Sequence, residues 1–137
     1  MKGISLVVTV LSPHENPQEV RKLCNKAGIK HFMLPMEQAD ETTLNDADAM
    51  EAVRGRLQEL LEILQPTGEC CLIHCAAGVH RTGIIAYSLI RLGNSYFGKT
   101  KEDAYRALMS LRQDTHFGVG EWRIDLAEEN IVKPILK

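Results

Sequence analysis

Residues 70–83 read Cys-Cys-Leu-Ile-His-Cys-Ala-Ala-Gly-Val-His-Arg-Thr-Gly: a short apolar run, a turn of small residues, then the start of a long apolar stretch. Cys70–His74 has the make-up of a short buried strand. After the turn, Ile84, Ile85, Ala86, Leu89, Ile90 and Leu92 are apolar nearly all round, as in a helix at the centre of a domain. Cys75 and Arg81 therefore stand six positions apart at a strand-to-helix junction, where α/β sheets place their ligands. If residues 76–81 wrap tightly, their backbone N–H groups converge on one point and the positive end of the following helix adds to them. Such a nest binds a tetrahedral oxyanion. Gly78 gives the turn its backbone freedom, and the planar fork of Arg81 can hold two phosphate oxygens. Those same donors would stabilise a thiolate at Cys75, taking its pKa below the free value of roughly 8.5.

The elements around this junction fix the fold class. Ile4–Val10 is continuous, apolar and β-branched, the pattern of a strand buried on both faces of a parallel sheet. Asn16 and Pro17 form a helix start, Val20, Leu23, Cys24 and Ala27 share a face, and Gly28 closes the helix. His31–Met36 is a second short apolar run, and Glu37–Asn45 is a polar loop. Met50, Val53, Leu57, Leu60, Leu61 and Leu64 recur at helical spacing up to Gln65-Pro66, which predicts a helix starting near Thr43 with Asp46 as capping partner. Gly93 ends the central helix, Thr100 and Asp103 cap another, and Gly120–Val132 supports a last one before Pro134. Strands alternate with helices first and helices follow alone. The class is α/β: a central, mainly parallel sheet flanked by helices in a three-layer αβα arrangement, with a C-terminal helical group.

Length and charge narrow the function. The 137 residues make one domain, 1–137, and 16 basic against 18 acidic side chains leave a net charge of −2. That balance argues against nucleic acid as a required partner. No segment approaches the roughly 18 apolar residues of a membrane span, and the N-terminal apolar run lacks the cleavage site of a signal peptide. Three of the four cysteines, Cys70, Cys71 and Cys75, crowd into six positions, a poor disulfide framework; with Cys24 they are expected as reduced thiols in a cytoplasmic, monomeric protein. Read as zinc ligands, Cys70, Cys71, His74, Cys75 and His80 fail, because adjacent strand residues point to opposite faces.

The decamer from His74 to Gly83 resembles the HCxxGxxR[ST]G signature of the cysteine-dependent tyrosine and dual-specificity phosphatases. A chance match beside one of four cysteines is on the order of one in 10⁵ from average residue usage. The HCAAGV half is similar to small dual-specificity enzymes, and the RTG ending to the tyrosine-specific and lipid-phosphatase branches. The resemblance implies a two-step displacement. Cys75 attacks phosphorus, Arg81 and the loop Ala76, Ala77, Gly78, Val79 and His80 hold the phosphate oxygens, and an acid protonates the departing oxygen. Water then hydrolyses the phosphocysteine while Thr82 stabilises the leaving thiolate. His74 orients the loop. Neither metal nor another cofactor is implied, since the nest and Arg81 supply the positive field.

The general acid implied by the family is an aspartate on the loop before the amphipathic helix. Asp40, Asp46 and Asp48 qualify by position and Glu37 follows the strand directly; Asp40, within the loop itself, is preferred. His80 either lines the pocket rim or packs. Cys70 and Cys71 read as core strand residues, one of which is a candidate to trap an oxidised Cys75 as a disulfide. Trp122 with Leu126 reads as helix core. The loop carries Ala76, Ala77 and Val79 where lipid-phosphatase relatives place lysines, which favours a phosphotyrosyl protein substrate, with phosphoserine and phosphothreonine as further targets. The alternative is the same chemistry on an inositol phosphate, a phosphoinositide or an RNA 5′-phosphate. A non-catalytic phosphate-binding adaptor fits less well, because both Cys75 and Arg81 are present.

Overall fold

A computed structural model describes residues 3–67, 70–76, 79–93, 98–111 and 118–136. Strand β1 (Leu6–Thr9) is central, with β2 (Lys30–Met33) and β3 (Cys71–His74) parallel on either side. Alternation along β1 separates two faces: Leu6, Val8 and Val10 enter the main core, while Val7 and Thr9 face the other way. Helix α1 (Pro17–Ala27) packs on β1 and β2. Asn16, at φ 56°, turns the chain into this helix, and Gly28, at φ 72°, ends it with its N–H donating to the Asn25 and Cys24 carbonyls. Of the four residues expected on the inner face of α1, Cys24 is buried and Val20 half-buried, whereas Leu23 and Ala27 are exposed. They border an open apolar trough shared with Val7, Leu72 and His74.

The opposite layer holds the core. The long amphipathic helix runs from Ala47 to Thr67, and the chain before it forms a separate short helix, so the single start near Thr43 is corrected to two. The cause is two successive aspartate caps. The Thr43 N–H donates to Asp40 Oδ1 at 2.9 Å, opening α2 (Glu41–Leu44), and the Ala49 N–H donates to Asp46 Oδ1 at 2.8 Å, opening α3 (Ala47–Thr67). Met50, Val53, Leu57 and Leu60 are at most 2% exposed. Each such side chain contributes roughly 1.5–3 kcal/mol by leaving water.

Helix α4 (His80–Leu92) is the central one, packed against β3, α3, α5 (Lys101–Leu111) and α6 (Glu121–Ala127). The Thr100 hydroxyl caps α5 by accepting the Asp103 N–H. After α6 the chain passes through a π-helical turn, Glu128–Val132, into α7 (Lys133–Leu136). The wider turn lets the Lys133 N–H reach the Glu128 carbonyl just before Pro134, which has no N–H to give; the helical course thus continues through the proline. Glu128 is buried there, accepting from Tyr87 Oη at 2.6 Å and from Arg91 Nε and Nη2 at 3.0 and 2.9 Å. That pairing ties the C-terminal helices to α4. Trp122 is 44% exposed with the Arg123 guanidinium stacked on its ring, not core as its position had suggested. Cys70 is likewise exposed, while Cys71 is half-buried and Cys24 buried.

Candidate active site

The site is built where β3 gives way to α4. Cys75 follows the strand directly and is buried, and Thr82 stands one turn into the helix. Its hydroxyl donates to Cys75 Sγ at 3.1 Å in a contact closed to solvent. Val79 precedes the first helical residue, and the Gly83 N–H donates to the Val79 carbonyl at 2.8 Å, so His80 and Arg81 belong to the first turn of α4. Of the expected phosphate-binding residues, Ala76 is exposed beside Cys75, whereas Ala77 and Gly78 lie outside the described residues.

Arg81 is held by Glu15 and by the chain at Met36. Its Nη1 and Nη2 donate to Glu15 Oε1 and Oε2 at 2.6 and 2.9 Å, and Nη1 also donates to the Met36 carbonyl at 3.0 Å. Glu15 ends a short 3-10 turn, Pro13–Glu15, and its Oε1 also accepts the Ser12 N–H at 2.9 Å. The Arg81 hydrogen bond, with that of Ser12, brings the Glu15 pKa down from 4.5 to about 2. Reciprocally, Glu15 raises the pKa of Arg81 against partial burial, with the Cys75 sulfur adding to the rise. The guanidinium is therefore a fixed cation next to the thiol. Sequence reasoning missed Glu15. The available signal was an acid just after β1 in the pattern Ser12-Pro13-His14-Glu15, an S-x-x-E capping arrangement.

His74 faces the other side of the sheet, where its Nε2 lies 2.8 Å from the Thr9 hydroxyl. His80 is exposed, and its ring bonds to the Gly118 backbone. A Cβ on Gly118 would stand 2.0 Å from Val79 Cγ1, so glycine is what allows this segment to approach the loop. Arg123 donates from Nε to the Ala39 carbonyl at 2.6 Å and from Nη1 to the Val119 carbonyl at 3.1 Å, fastening the loop before α2 to the C-terminal region.

The preferred acid has a different setting from the one its position suggested. The Asp40 carboxylate caps α2, and the Thr43 N–H that it accepts lowers its pKa, the opposite of what a proton donor needs. Asp46 is likewise a cap, of α3, and Asp48 and Glu37 are exposed. Among the described residues no three His, Cys, Asp or Glu side chains converge as metal ligands would, and no helix is long and apolar enough to cross a membrane.

A parallel sheet whose strand end delivers a buried cysteine to a helix carrying an arginine and a threonine defines the scaffold of the cysteine-based phosphatases. The chain belongs to the tyrosine phosphatase family, whose sequence model matches residues 5–98. It is 34% identical over 88 residues to the inositol diphosphatase SIW14 of Saccharomyces cerevisiae, a match covering 64% of this chain and 29% of that protein. It is 33% identical over 78 residues to the inositol diphosphatase DSP4 of Arabidopsis thaliana, covering 57% of this chain and 37% of that one. The matched segments thus span about a third of these relatives' own length. Among solved structures, a mutant form of Tk-PTP superposes with a TM-score of 0.63 at 20% identity, covering 98% of this chain and 81% of that chain. The catalytic core of SIW14, a PP-IP phosphatase crystallised with citrate, superposes with a TM-score of 0.60 at 21% identity, covering 97% and 71%.

Proposed function

We propose that this chain is a cysteine-dependent phosphatase acting on an inositol phosphate that carries a diphosphate group, rather than on phosphotyrosine. In the first step Cys75 Sγ forms a bond to the terminal phosphorus as the bridging P–O bond breaks, and Arg81 holds the equatorial oxygens. In the second, water displaces the thiolate, releasing inorganic phosphate, and the Thr82 hydroxyl hydrogen-bonds the departing sulfur. His74 sets the course of the chain into Cys75.

The observation that carries the substrate half is the engagement of Asp40, whose Oδ1 accepts the Thr43 N–H at 2.9 Å and so caps α2. A phenolate leaves slowly unless an acid protonates it. The group leaving a diphosphate is itself a phosphate, with its charge spread over several oxygens, and has far less need of an acid. The names of two relatives at 33–34% identity support the same reading and lead away from the phosphoprotein substrate favoured by the loop's lack of lysines. A panel comparing a diphosphoinositol polyphosphate, the corresponding inositol polyphosphate and phosphotyrosyl peptides tests it, with Cys75→Ser as control. The expected order of kcat/KM places the diphosphate first, with Cys75→Ser inert. A phosphotyrosyl peptide turned over more efficiently than the diphosphate would overturn the substrate assignment.

A further inference from the structure

On the face of the sheet opposite Cys75, three side chains from three strands form a chain of hydrogen bonds. Thr9, on central β1 and 1% exposed, places its Oγ1 2.7 Å from His31 Nε2 on β2 and 2.8 Å from His74 Nε2 on β3. Thr9 and His74 are also register partners, and the Val10 N–H donates to the His74 carbonyl at 2.8 Å, so backbone and side chain converge on the residue before Cys75.

One hydroxyl carries one proton, so it can donate to only one of the two imidazole nitrogens, and the other must donate to it. The direction follows from His31 Nδ1, which is buried and has no hydrogen-bond partner among the described residues. An orphaned buried N–H is rarer and costlier in folded proteins than an idle acceptor, so Nδ1 carries no proton. Neutral His31 then holds its proton on Nε2 and donates to Thr9, whose hydroxyl donates to His74 Nε2. Burial and the charge of Arg21 on α1 both act to keep His31 neutral.

We propose that His31 and Thr9 are positioning residues that fix His74 in one tautomer, with its proton on Nδ1, and in one ring setting, so that the peptide leading to Cys75 enters the loop at a defined angle. The inference rests on Cys75 as nucleophile but requires no particular substrate. His74 is thereby locked from the far side of the sheet, by residues 65 and 43 positions earlier in the chain.

Nitrogen-15 imidazole shifts of the whole protein test this without turnover. The expected spectrum has His31 protonated on Nε2 and His74 protonated on Nδ1 at neutral pH. In Thr9→Val, which keeps the shape and removes the hydroxyl, His74 is expected to populate both tautomers. The rate of Cys75 alkylation by iodoacetamide and kcat should fall about tenfold, the size of one well-placed hydrogen bond, with KM little changed. Thr9→Ser is expected to restore all three readouts. His31→Gln, whose amide N–H reaches the same oxygen, should preserve the His74 tautomer, and His31→Phe should lose it. Melting temperatures of Thr9→Val and Thr9→Ser separate loss of fold from loss of positioning. A His74 ring protonated on Nε2 in the unaltered protein, or a folded Thr9→Val with unchanged tautomer and alkylation rate, overturns the proposal. Loss of activity on every phosphate ester with the tautomers as expected would instead count against the proposed function.

Discussion

Both carboxylate oxygens of Glu15 grip Arg81, at 2.6 and 2.9 Å, across 66 residues of chain. On the proposed mechanism, the fork of Arg81 is thereby set before any phosphate arrives. Glu15→Gln is expected to lower kcat/KM by about a hundredfold through misplacement of that fork, read by steady-state kinetics with the Cys75 alkylation rate as a check on the nucleophile. The pH sign is fixed by a folded pKa of about 2 against an ordinary 4.5. The carboxylate's stabilising contribution is complete above pH 4.5 and is lost as pH falls through about 2. Urea unfolding of the native protein and Glu15→Gln should therefore differ most above pH 4.5 and converge in acid.

The Thr82 hydroxyl donates to the Cys75 sulfur, and on the proposed mechanism its effect belongs to the second step. Thr82→Val should slow phosphocysteine hydrolysis about tenfold to a hundredfold, the worth of one hydrogen bond to a charged group. Rapid mixing with an activated aryl phosphate should then give a burst of phenol release equal to the enzyme present, with the phosphoenzyme trapped on acid quench. A uniform slowing with no burst would assign Thr82 to the first step.

Asp40 separates the two substrate readings. Asp40→Asn keeps a good helix cap and removes the acid, and is expected to change turnover of a diphosphate less than about fivefold, against the 10²–10⁴-fold typical of losing a general acid. Asp40→Ala should cost about 1 kcal/mol of stability, measured by denaturant unfolding, through loss of the cap.

Local patterns were legible in the sequence and distant pairings were not. The strand and helix on either side of Cys75, the helix end at Gly28, the cap at Thr100 and the core face of α3 all follow from residues within a few positions of one another. Glu15 meets Arg81, and Thr9 meets His31 and His74, only because the parallel sheet aligns strand ends far apart in sequence. Asp40 is legible in two ways. Its loop position matched the expected acid, while the competing pattern, an aspartate three residues before Thr43, spelled a helix cap. Leu23 and Ala27 were expected inside because helical spacing marks an apolar face without saying what covers it.

The strand geometry also decides the redox reading. Cys71 precedes Cys75 by four residues of extended chain, about 13 Å, well beyond the roughly 7 Å Cα separation that a disulfide tolerates, and Cys70 is farther still. Mild peroxide is therefore expected to carry Cys75 to the sulfenic and then the sulfinic acid without a bridge to either residue, as peptide mass spectrometry would record. This replaces the trapping role that sequence proximity had suggested for Cys70 or Cys71.

Glu128 predicts where stability is concentrated. Removing it leaves Arg91 without its carboxylate and the buried Tyr87 hydroxyl without an acceptor. Glu128→Ala should lower unfolding free energy by about 3–5 kcal/mol in urea titrations, and Glu128→Gln by less, because the amide oxygen still accepts.

The contact between Gly118 and Val79 has a consequence for anyone redesigning the pocket. With a Cβ at 118 placed 2.0 Å from Val79 Cγ1, the two positions share one volume. Any attempt to graft a differently charged signature loop must treat them as a linked pair: a bulkier residue at 79 is admissible only while 118 stays glycine, and a side chain at 118 demands a smaller partner at 79. Mutational tolerance at either site is thus conditional on the other, and single-site scans would misjudge both.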